Sequence, residues 1–323
     1  MLGRMQKYHP LSLHKKGTHT KALIALAAVC FLWGTTWIAS RQGVLHMPAL
    51  QMAGMRQLLG GILYLSFFFY KGVAWPTKKQ ILPLLVLALL NFIIANGLST
   101  WGVRYISAGL GSIIGAIFPL WLVIIGFFKG EESMPIKSII GMLLGFAGVC
   151  IIFYEHLHDF LQPDFRFGIL LSLAATWGWA FGTIYTKKNA VHFNPYFGLG
   201  IQMTIGGASL LGASYASGSF ISLQQIPTAS WLAIAYLVIF GSVLSFIAFI
   251  YALQHLPTEQ ASIYAYINPV VAMLLGALFF DEKLTILLAI GGAVTIYGVF
   301  MVNNAYRKNK SLKAIETDRY SDT

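Results

Sequence analysis

The chain has 323 residues, of which 57% are hydrophobic and only 10% are charged, and its mean hydropathy is +0.70. Soluble domains carry about a quarter charged residues, so this composition excludes an ordinary aqueous globular protein. The net charge of +11 comes from Lys and Arg residues that lie between apolar runs and at the termini. No basic stripe is interleaved with aromatic residues, so nucleic acid is not expected as a partner. The composition is that of an integral membrane protein whose main partner is the lipid bilayer.

The first apolar run follows a basic segment, residues 1–21, which is expected to be a cytoplasmic arm, disordered over residues 1–20. This run is too long for the core of a signal peptide and has no cleavage site, so it is expected to stay as a helix. The two cysteines, Cys30 and Cys150, lie inside apolar runs and are typical of small packed hydrophobes. They do not predict a disulfide or a metal pair.

The apolar runs are each long enough to cross a bilayer, which takes about 17–25 residues of helix. They predict an all-α membrane protein with ten transmembrane helices, at residues 22–41, 50–70, 81–103, 106–128, 136–153, 167–186, 196–217, 230–253, 259–280 and 285–303. Most breaks between these runs contain proline, as links between helices often do. With the N-terminus inside, seventeen Lys and Arg residues lie in inside segments and four in outside links. This asymmetry predicts that both termini are cytoplasmic.

One apolar stretch recurs in the second half of the chain at an unbroken offset of 150 residues. Residues 112–132 have the sequence SIIGAIFPLWLVIIGFFKGEE, and residues 262–282 have the sequence SIYAYINPVVAMLLGALFFDE. Both contain a proline within the apolar run, Pro119 and Pro269, and both end at an acidic pair. An internal repeat of five predicted spans contains an odd number of crossings, so its two copies must run in opposite directions. Inverted repeats of this kind place a substrate site near the bilayer midplane, between the halves.

Further pairs of motifs extend the repeat over about residues 22–302. They are Leu32-Trp33-Gly34, Pro48 with Arg56, Ile117-Phe118-Pro119, Gly130-Glu131-Glu132, Trp177-Gly178, Asn268-Pro269 and Asp281-Glu282-Lys283-Leu284-Thr285. In their order and spacing these motifs resemble the drug/metabolite transporter superfamily, specifically the EamA-type exporters with ten helices. The resemblance implies efflux of small metabolites, such as amino acids, across the inner membrane. The expected organisation is a first EamA repeat at 22–153, an extracytoplasmic linker at 154–166, a second repeat at 167–303 and a basic cytoplasmic tail at 304–323. The second repeat has Gln202 near the place of Arg56, so a role of that arginine is not duplicated.

Arg56 is the one clear charge within a predicted span. A charge at that depth costs about 2.5–3.5 kcal/mol on insertion scales, so it should face a cavity or a partner. As a binding residue, it would be the counter-charge of a carboxylate on the substrate. As a structural residue, it would cap helix ends or bond to loop carbonyls near the outer side. A further alternative is that its side chain extends toward the interface.

Aromatic residues concentrate in particular predicted spans, where they are candidates for lining a transport cavity. Trp33 and Trp177 lie too deep for an interfacial belt, so each indole either packs on another helix or lines a cavity. The candidate binding residues are Trp33, Trp37, Arg56, Asn96, Trp177, Tyr185, Gln202, Tyr264 and Asn268. The amides among them also fit hydrogen bonds that hold helices together.

The two repeated prolines are expected to be helix-break or gating positions. Because proline lacks an N–H group, Pro269 leaves the carbonyl of Ala265 without its helical partner, and Pro119 does the same to Gly115. A free carbonyl beside Asn268 and Tyr264 predicts a polar pocket in the second copy. The first copy has Phe118 in place of the amide, so the site is predicted to be asymmetric.

The acidic residues fit several roles. Those of the two link motifs, Glu131, Glu132, Asp281 and Glu282, are expected to cap helices or pair with Lys137 and Lys283, with gating as an alternative. Glu259 fits a partner for a helix dipole better than a proton-exchanging group, so proton coupling is not established. Residues 155–159, EHLHD, superficially resemble a metal cluster but have no second element, so no metal site and no cofactor are predicted.

The function expected from these features is a secondary transporter that exports small organic metabolites from a cavity between the repeats. An importer or a facilitative channel with the same fold is the alternative. A membrane-embedded enzyme is disfavoured, since the spans contain no His-Glu-x-x-His motif, no Gly-x-Ser-x-Gly motif and no paired aspartates.

Overall fold

A computed structural model describes residues 16–128, 136–155, 159–189, 193–256 and 264–321, and every regular element within these residues is helical. In chain order the helices are α1 (Lys16–Val44), α2 (Ala49–Tyr70), α3 (Lys78–Gly102), α4 (Ala108–Gly115), α5 (Phe118–Phe128), α6 (Ile136–Glu155), α7 (Pro163–Asn189), α8 (Pro195–Ala216), α9 (Thr228–His255), α10 (Tyr264–Phe280) and α11 (Ile286–Ser321). The all-helical fold predicted from the apolar runs is confirmed.

Within the described residues, five helical segments are long and apolar enough to cross a membrane by length and composition. They are His19–Val44, Ala49–Tyr70, Lys78–Gly102, Pro163–Thr186 and Thr228–His255, and shorter apolar helices occur at Ile136–Ile152, Ile267–Phe280 and Ile286–Val302. Each predicted span coincides with one helix, except that the fourth is divided into α4 and α5. The total of ten spans and the cytoplasmic location of both termini stay predictions.

Two helices extend beyond their predicted spans into polar sequence. Helix α1 begins at Lys16, so the prediction of a disordered arm is wrong for residues 16–20. Helix α11 continues to Ser321, so most of the polar tail is helical. Once a membrane-spanning helix has nucleated, each added residue gains a hydrogen bond at little further cost, which explains why both helices continue.

The helix contacts show how the two halves of the chain fit together. Helix α2 packs on α8, and α6 packs on α11, so each pairs with its counterpart in the other repeat. Helix α1 packs on α9 and α10, while its counterpart α7 packs on α3, α4 and α5. A pseudo-two-fold axis that exchanges the repeats produces this pattern, which agrees with the duplication found in the sequence.

Glycines at the contact between α2 and α8 show the relative direction of these two helices. A Cβ atom built on Gly54 would lie 3.0 Å from the carbonyl oxygen of Gly207, and one on Gly61 would lie 2.9 Å from that of Gly200. The later glycine of α2 therefore meets the earlier glycine of α8, so the two helices are antiparallel. Since they are counterparts, the repeats run in opposite directions, as predicted.

The same pattern recurs where α6 crosses α11. A Cβ atom on Gly141 would lie 2.7 Å from the carbonyl oxygen of Gly298, and one on Gly291 would lie 2.7 Å from that of Gly148. No side chain fits at these positions without moving a backbone, so the close packing requires glycine. Glycine therefore allows the two repeats to approach closely at this crossing.

Two counterpart helices, α3 and α9, each contain a π-helical segment, at Ala88–Gly97 and at Leu237–Leu244. In α3 the Asn96 side chain donates to the carbonyl of Asn91 at 2.8 Å, and in α9 the Ser245 hydroxyl donates to the carbonyl of Phe240. Both bonds span five residues and occupy equivalent places in the two repeats. Segments of this kind are frequent at functional sites, and both lie beside the cavity described below.

Candidate substrate cavity

A cavity of about 160 Å³ lies where the two repeats meet, lined by residues of α1 to α5 and of α7, α9 and α10. Six of the nine candidate binding residues line it: Trp33, Trp37, Arg56, Asn96, Tyr264 and Asn268. These residues are far apart in the chain, and the fold brings them around one space. Their role in binding a substrate stays a prediction.

The other three candidates lie elsewhere. Trp177 is 44% exposed and packs on Trp121, with ring centroids 4.8 Å apart, so the expectation that it lines the cavity is not met. Gln202 is buried between helices, where its side-chain oxygen accepts from Asn91 at 3.5 Å. Tyr185 lies further along α7 and is not part of the lining.

The place expected for Trp177 is taken by Trp179, which is not among the nine candidate binding residues. Side chains two residues apart on a helix point in directions that differ by about 200°. If one of them faces the cavity, the other therefore faces away. Ser172, Thr176 and Trp179 share one side of α7 and line the cavity. Their spacing of four and three residues is typical of one side of a helix, so it could have indicated Trp179. The sequence analysis favoured Trp177 instead, because Trp177 matches Trp33 in the repeat.

Arg56 is buried, with 5% of its surface exposed, and it joins α2 to the π-helical segment of α9. Its Nε donates to the hydroxyl of Ser242 at 3.1 Å, and its Nη2 donates to the carbonyl of Gly241 at 3.4 Å. A guanidinium has five N–H donors, and these bonds use two of them. No carboxylate of the described residues lies within 4.0 Å, so the guanidinium carries its charge into the cavity without an acidic partner.

The arginine therefore combines features of both roles considered for it. It bonds to a carbonyl, as a structural anchor would, but that carbonyl lies within a membrane helix rather than in a loop. The indole of Trp33 donates to the same Gly241 oxygen at 3.3 Å, so one carbonyl accepts from two side chains of the other repeat.

Aromatic rings form a continuous wall beside the arginine. The ring centroid of Trp33 lies 5.2 Å from that of Phe246, 4.9 Å from that of Tyr264 and 6.0 Å from that of Trp179. The Trp179 indole donates to the Tyr264 hydroxyl at 3.2 Å, which satisfies a polar group in an otherwise apolar wall. Such a wall suits the apolar part of a small organic molecule.

The residues expected to form a polar pocket in the second copy are neighbours, and their role in binding stays a prediction. Tyr264, Ala265 and Asn268 all line the cavity, and Pro269 follows within the continuous helix α10. In the orientation that satisfies its neighbours, the Asn268 amide nitrogen donates to the carbonyl of Cys30 at 2.8 Å and to that of Tyr264 at 3.0 Å. The amide thus fixes α10 against α1.

The first copy contributes a helix break to the same cavity. Helix α4 ends at Gly115, and Pro119 is the second residue of α5. Gly115, Ala116 and Phe118 line the cavity. The residues four positions before the two prolines, Gly115 and Ala265, therefore meet in one space.

The acidic links are only partly within the described residues. Glu282 accepts from the backbone N–H of Ala108 at 2.9 Å and of Gly109 at 3.3 Å, so it caps α4 in the other repeat. Glu131, Glu132 and Glu259 lie outside the described residues, as do positions 156–158 of the EHLHD segment. Among the residues that are described, no group of three or more His, Cys, Asp or Glu residues is arranged to hold a metal ion.

Comparisons with known proteins agree with the repeat and the fold. A family model described as the EamA-like transporter family matches residues 20–154 and again residues 166–304. A solved structure described only as "Crystal structure of protein" superimposes with a TM-score of 0.63 at 17% identity, covering 88% of this chain and 97% of that one. At this identity the likeness shows the fold alone.

Two relatives are similar in sequence over most of their length. YvbV of Bacillus subtilis (strain 168), described as an uncharacterized transporter, is 30% identical over 302 residues, which cover 91% of this chain and 94% of that protein. YedA of Escherichia coli (strain K12), described as an uncharacterized inner membrane transporter, is 30% identical over 280 residues, which cover 86% of this chain and 89% of that protein. The chain thus belongs to the EamA-like transporter family within the drug/metabolite transporter superfamily, and it is a membrane transporter.

Proposed function

We propose that this transporter exports small organic metabolites, amino acids or related compounds, across the inner membrane by alternating access. The observation that carries the proposal is the position of the cavity. It lies between two inverted repeats, both repeats line it, and its one described cationic side chain, Arg56, has no acidic partner among the described residues. A rocking motion of one repeat against the other would expose such a cavity to each side in turn.

Support for the location and for the absence of catalysis comes from the relatives. YedA is described as an inner membrane transporter, and YvbV as a transporter. The proposed activity is therefore transport without chemical conversion of the solute, driven by a gradient.

The test is a flux screen in proteoliposomes and everted vesicles, over amino acids, nucleosides and cationic drugs, with and without a pH gradient. We expect carboxylate-bearing solutes to move. Movement only toward the cytoplasm would instead favour an importer, and movement of none of the solutes would contradict the proposal.

The variant Arg56→Gln sharpens this test. We expect it to lower the flux of carboxylate solutes by about tenfold, the effect of losing one charged hydrogen-bonding partner, with little change in protein level. Arg104→Gln is the matched control, because Arg104 is exposed in the link between α3 and α4. If flux and protein level fell together for Arg56→Gln, the arginine would be structural.

A further inference from the structure

The two ends of the cavity have different linings. One end is polar and is lined by the hydroxyl residues Ser40, Ser99, Thr100, Ser112 and Ser172. These residues lie toward the ends of α1 and α3 and toward the starts of α4 and α7. Arg41 of α1 donates to the carbonyls of Val103 and Arg104 in the α3–α4 link, at 2.6 and 2.7 Å, and the start of α7 contacts the same link at Gly168. The sequence predicts that this is the outer end of the molecule.

The opposite end of the cavity is lined by the aromatic wall, which consists of Trp33, Trp179, Phe246 and Tyr264. Trp179 lies in the later half of α7 and Phe246 in the later half of α9, and both helices continue from there toward the end predicted to be cytoplasmic. Tyr264 is the first residue of α10, which runs back from that end. The wall therefore lies between the cavity and the predicted cytoplasmic end.

Behind the wall, buried apolar side chains fill the space between the helices. The cluster that includes wall residues continues toward the start of α1, the start of α8 and the end of α9, through Ala22, Leu26, Val29, Cys30, Tyr64, Leu199, Ala252 and Leu256. At the polar end, the buried apolar residues form two separate clusters, one of α1, α2 and α9 and one of α4, α6, α7 and α11. Among the described residues, a single core thus crosses the bundle behind the wall, while the core at the polar end is divided.

One ring behind the wall contacts three of its four members. The ring centroid of Phe249 lies 4.8 Å from that of Trp33 in the other repeat. It also lies 5.5 Å from the centroid of Tyr264 and 6.4 Å from that of Trp179. Phe249 itself does not line the cavity. Because aromatic pairs at these distances attract each other beyond the area that they bury, Phe249 holds the rings of the wall together from behind.

A hydrogen bond between the repeats fixes the part of α9 that carries these rings. Tyr64 of α2 is 5% exposed, and its hydroxyl donates to the carbonyl of Val243 at 2.9 Å, within the π-helical segment of α9. Val243 lies one turn before Phe246 and less than two turns before Phe249. Movement of this part of α9 away from α2 therefore requires the bond to break.

We propose that the aromatic wall is the inner gate of the transporter, which Phe249 holds shut and which the bond between Tyr64 and Val243 latches. The gate closes the cavity toward the cytoplasm in the conformation described, and it opens when Phe249 leaves the other rings. This inference rests on the proposed alternating access. Phe249 and Tyr64 act through the position of the wall and need no contact with the solute.

The test measures how fast a membrane-impermeant thiol reagent reaches the cavity from each face of the membrane. Ser99→Cys places a thiol at a partly exposed position of the polar lining, in a chain whose own Cys30 and Cys150 are replaced by alanine. Everted vesicles present the predicted cytoplasmic face to the reagent, and right-side-out vesicles present the other face. We expect labelling to be slower in everted vesicles. Phe249→Ala should accelerate it there by about tenfold or more, because three ring contacts are lost, and should not accelerate it in right-side-out vesicles.

Two conservative variants separate the gate from a general loss of folding. Phe249→Leu keeps an apolar side chain behind the wall, so it should accelerate labelling less than Phe249→Ala. Tyr64→Phe removes only the hydroxyl of the latch, and we expect about threefold faster labelling in everted vesicles. Phe300→Ala is the matched control, because Phe300 is exposed on α11, and it should label like the parent chain. Protein level and thermal unfolding are measured for every variant.

Three results would overturn the gate. The first is labelling of the parent chain that is equally fast from both faces, and the second is labelling in everted vesicles that Phe249→Ala leaves unchanged. The third is acceleration from both faces, which would mean that the variant loosens the whole bundle. If Phe249→Ala is not obtained as a folded protein, the same criteria apply to Phe249→Leu and Tyr64→Phe.

The flux screen of the proposed function is read separately from the labelling. Flux of solutes with no effect of Phe249→Ala on labelling would overturn the gate and leave transport standing. The expected labelling pattern without flux of any solute would support the gate as a barrier and contradict the proposed function.

Discussion

The two copies of the proline stretch differ in structure although the proline has the same place in each. In the first copy, helix α4 ends at Gly115 and a new helix begins at Phe118. In the second copy, α10 runs without a break from Tyr264 through Pro269 to Phe280. A proline within an apolar run thus permits a break but does not require one.

The residue before each proline explains the difference. In the second copy, Asn268 donates to the carbonyls of Tyr264 and Cys30, so the turn before Pro269 is tied to its own helix and to α1. In the first copy this place is held by Phe118, which has no side-chain donor. There the chain tightens into a turn, in which the N–H of Ile117 bonds to the carbonyl of Ile114 at 3.1 Å.

Side-chain hydrogen bonds join both copies to neighbouring helices, and in the first copy the Trp121 indole of α5 donates to the Thr176 hydroxyl of α7 at 2.8 Å. Helix α10 is joined to α1 through Asn268 and to α7 through the Tyr264 hydroxyl. We therefore expect substitutions in the second copy that remove these bonds to affect transport, with an effect that follows the number and charge of the bonds lost.

The largest effect is expected for Asn268→Leu, which removes both amide bonds of the second copy. The bond to Cys30 joins two helices, and such bonds at membrane depth contribute about 0.6–2 kcal/mol. The bond to Tyr264 lies within α10 and adds about 0.5–1.5 kcal/mol. Flux should therefore fall by about tenfold or more, and the unfolding temperature should fall. Flux in proteoliposomes and thermal unfolding in detergent measure the two effects. Asn304→Leu, at an exposed position of α11, serves as the control. Unchanged flux and stability would show that Asn268 does not maintain the continuous helix.

A smaller effect is expected for Glu282→Gln, which acts on the link that joins the second copy to the first. Loss of the negative charge at the N-terminus of α4 should cost about 0.5–1 kcal/mol, so backbone amides of α4 should exchange hydrogen about two to five times faster. Hydrogen–deuterium exchange at Ala108–Leu110 measures this effect. Asp281→Asn is the control, because Asp281 is exposed and asparagine tolerates its positive φ of 52°. Equal exchange in Glu282→Gln and in the unmodified protein would contradict the cap.

The smallest effect is expected for Tyr264→Phe, which keeps the ring that stacks on Phe118 and removes only the hydroxyl that accepts from Trp179. A neutral bond of this kind is worth about 0.6 kcal/mol on average, or roughly a threefold change in flux. Tyr297→Phe is the control, because Tyr297 is exposed on α11. A loss of flux as large as that of Asn268→Leu would mean that the hydroxyl takes part in transport directly.

Much of the candidate site was predictable from the sequence, because it contains polar and proline residues that are rare within apolar membrane spans. A buried arginine, repeated prolines and an amide beside one of them are costly in a membrane, so their presence alone marks them. Hydropathy did not decide between Trp177 and Trp179. The apolar residues of a membrane helix extend around all its sides, since lipid and protein neighbours are both apolar, so hydropathy does not show which side faces a cavity.

The sequence by itself determined the helical class, the duplication, the opposite direction of the two copies and the group of polar residues at membrane depth. These properties depend on the composition, on the spacing of apolar runs and on the odd number of spans in each repeat. Only the tertiary structure decided which helices meet, that Arg56 bonds to a π-helical segment, that Glu282 caps a helix of the other repeat, and that one proline breaks its helix while the other does not. Each of these depends on which partner lies across a helix contact, and that partner is set by packing of residues far apart in the chain.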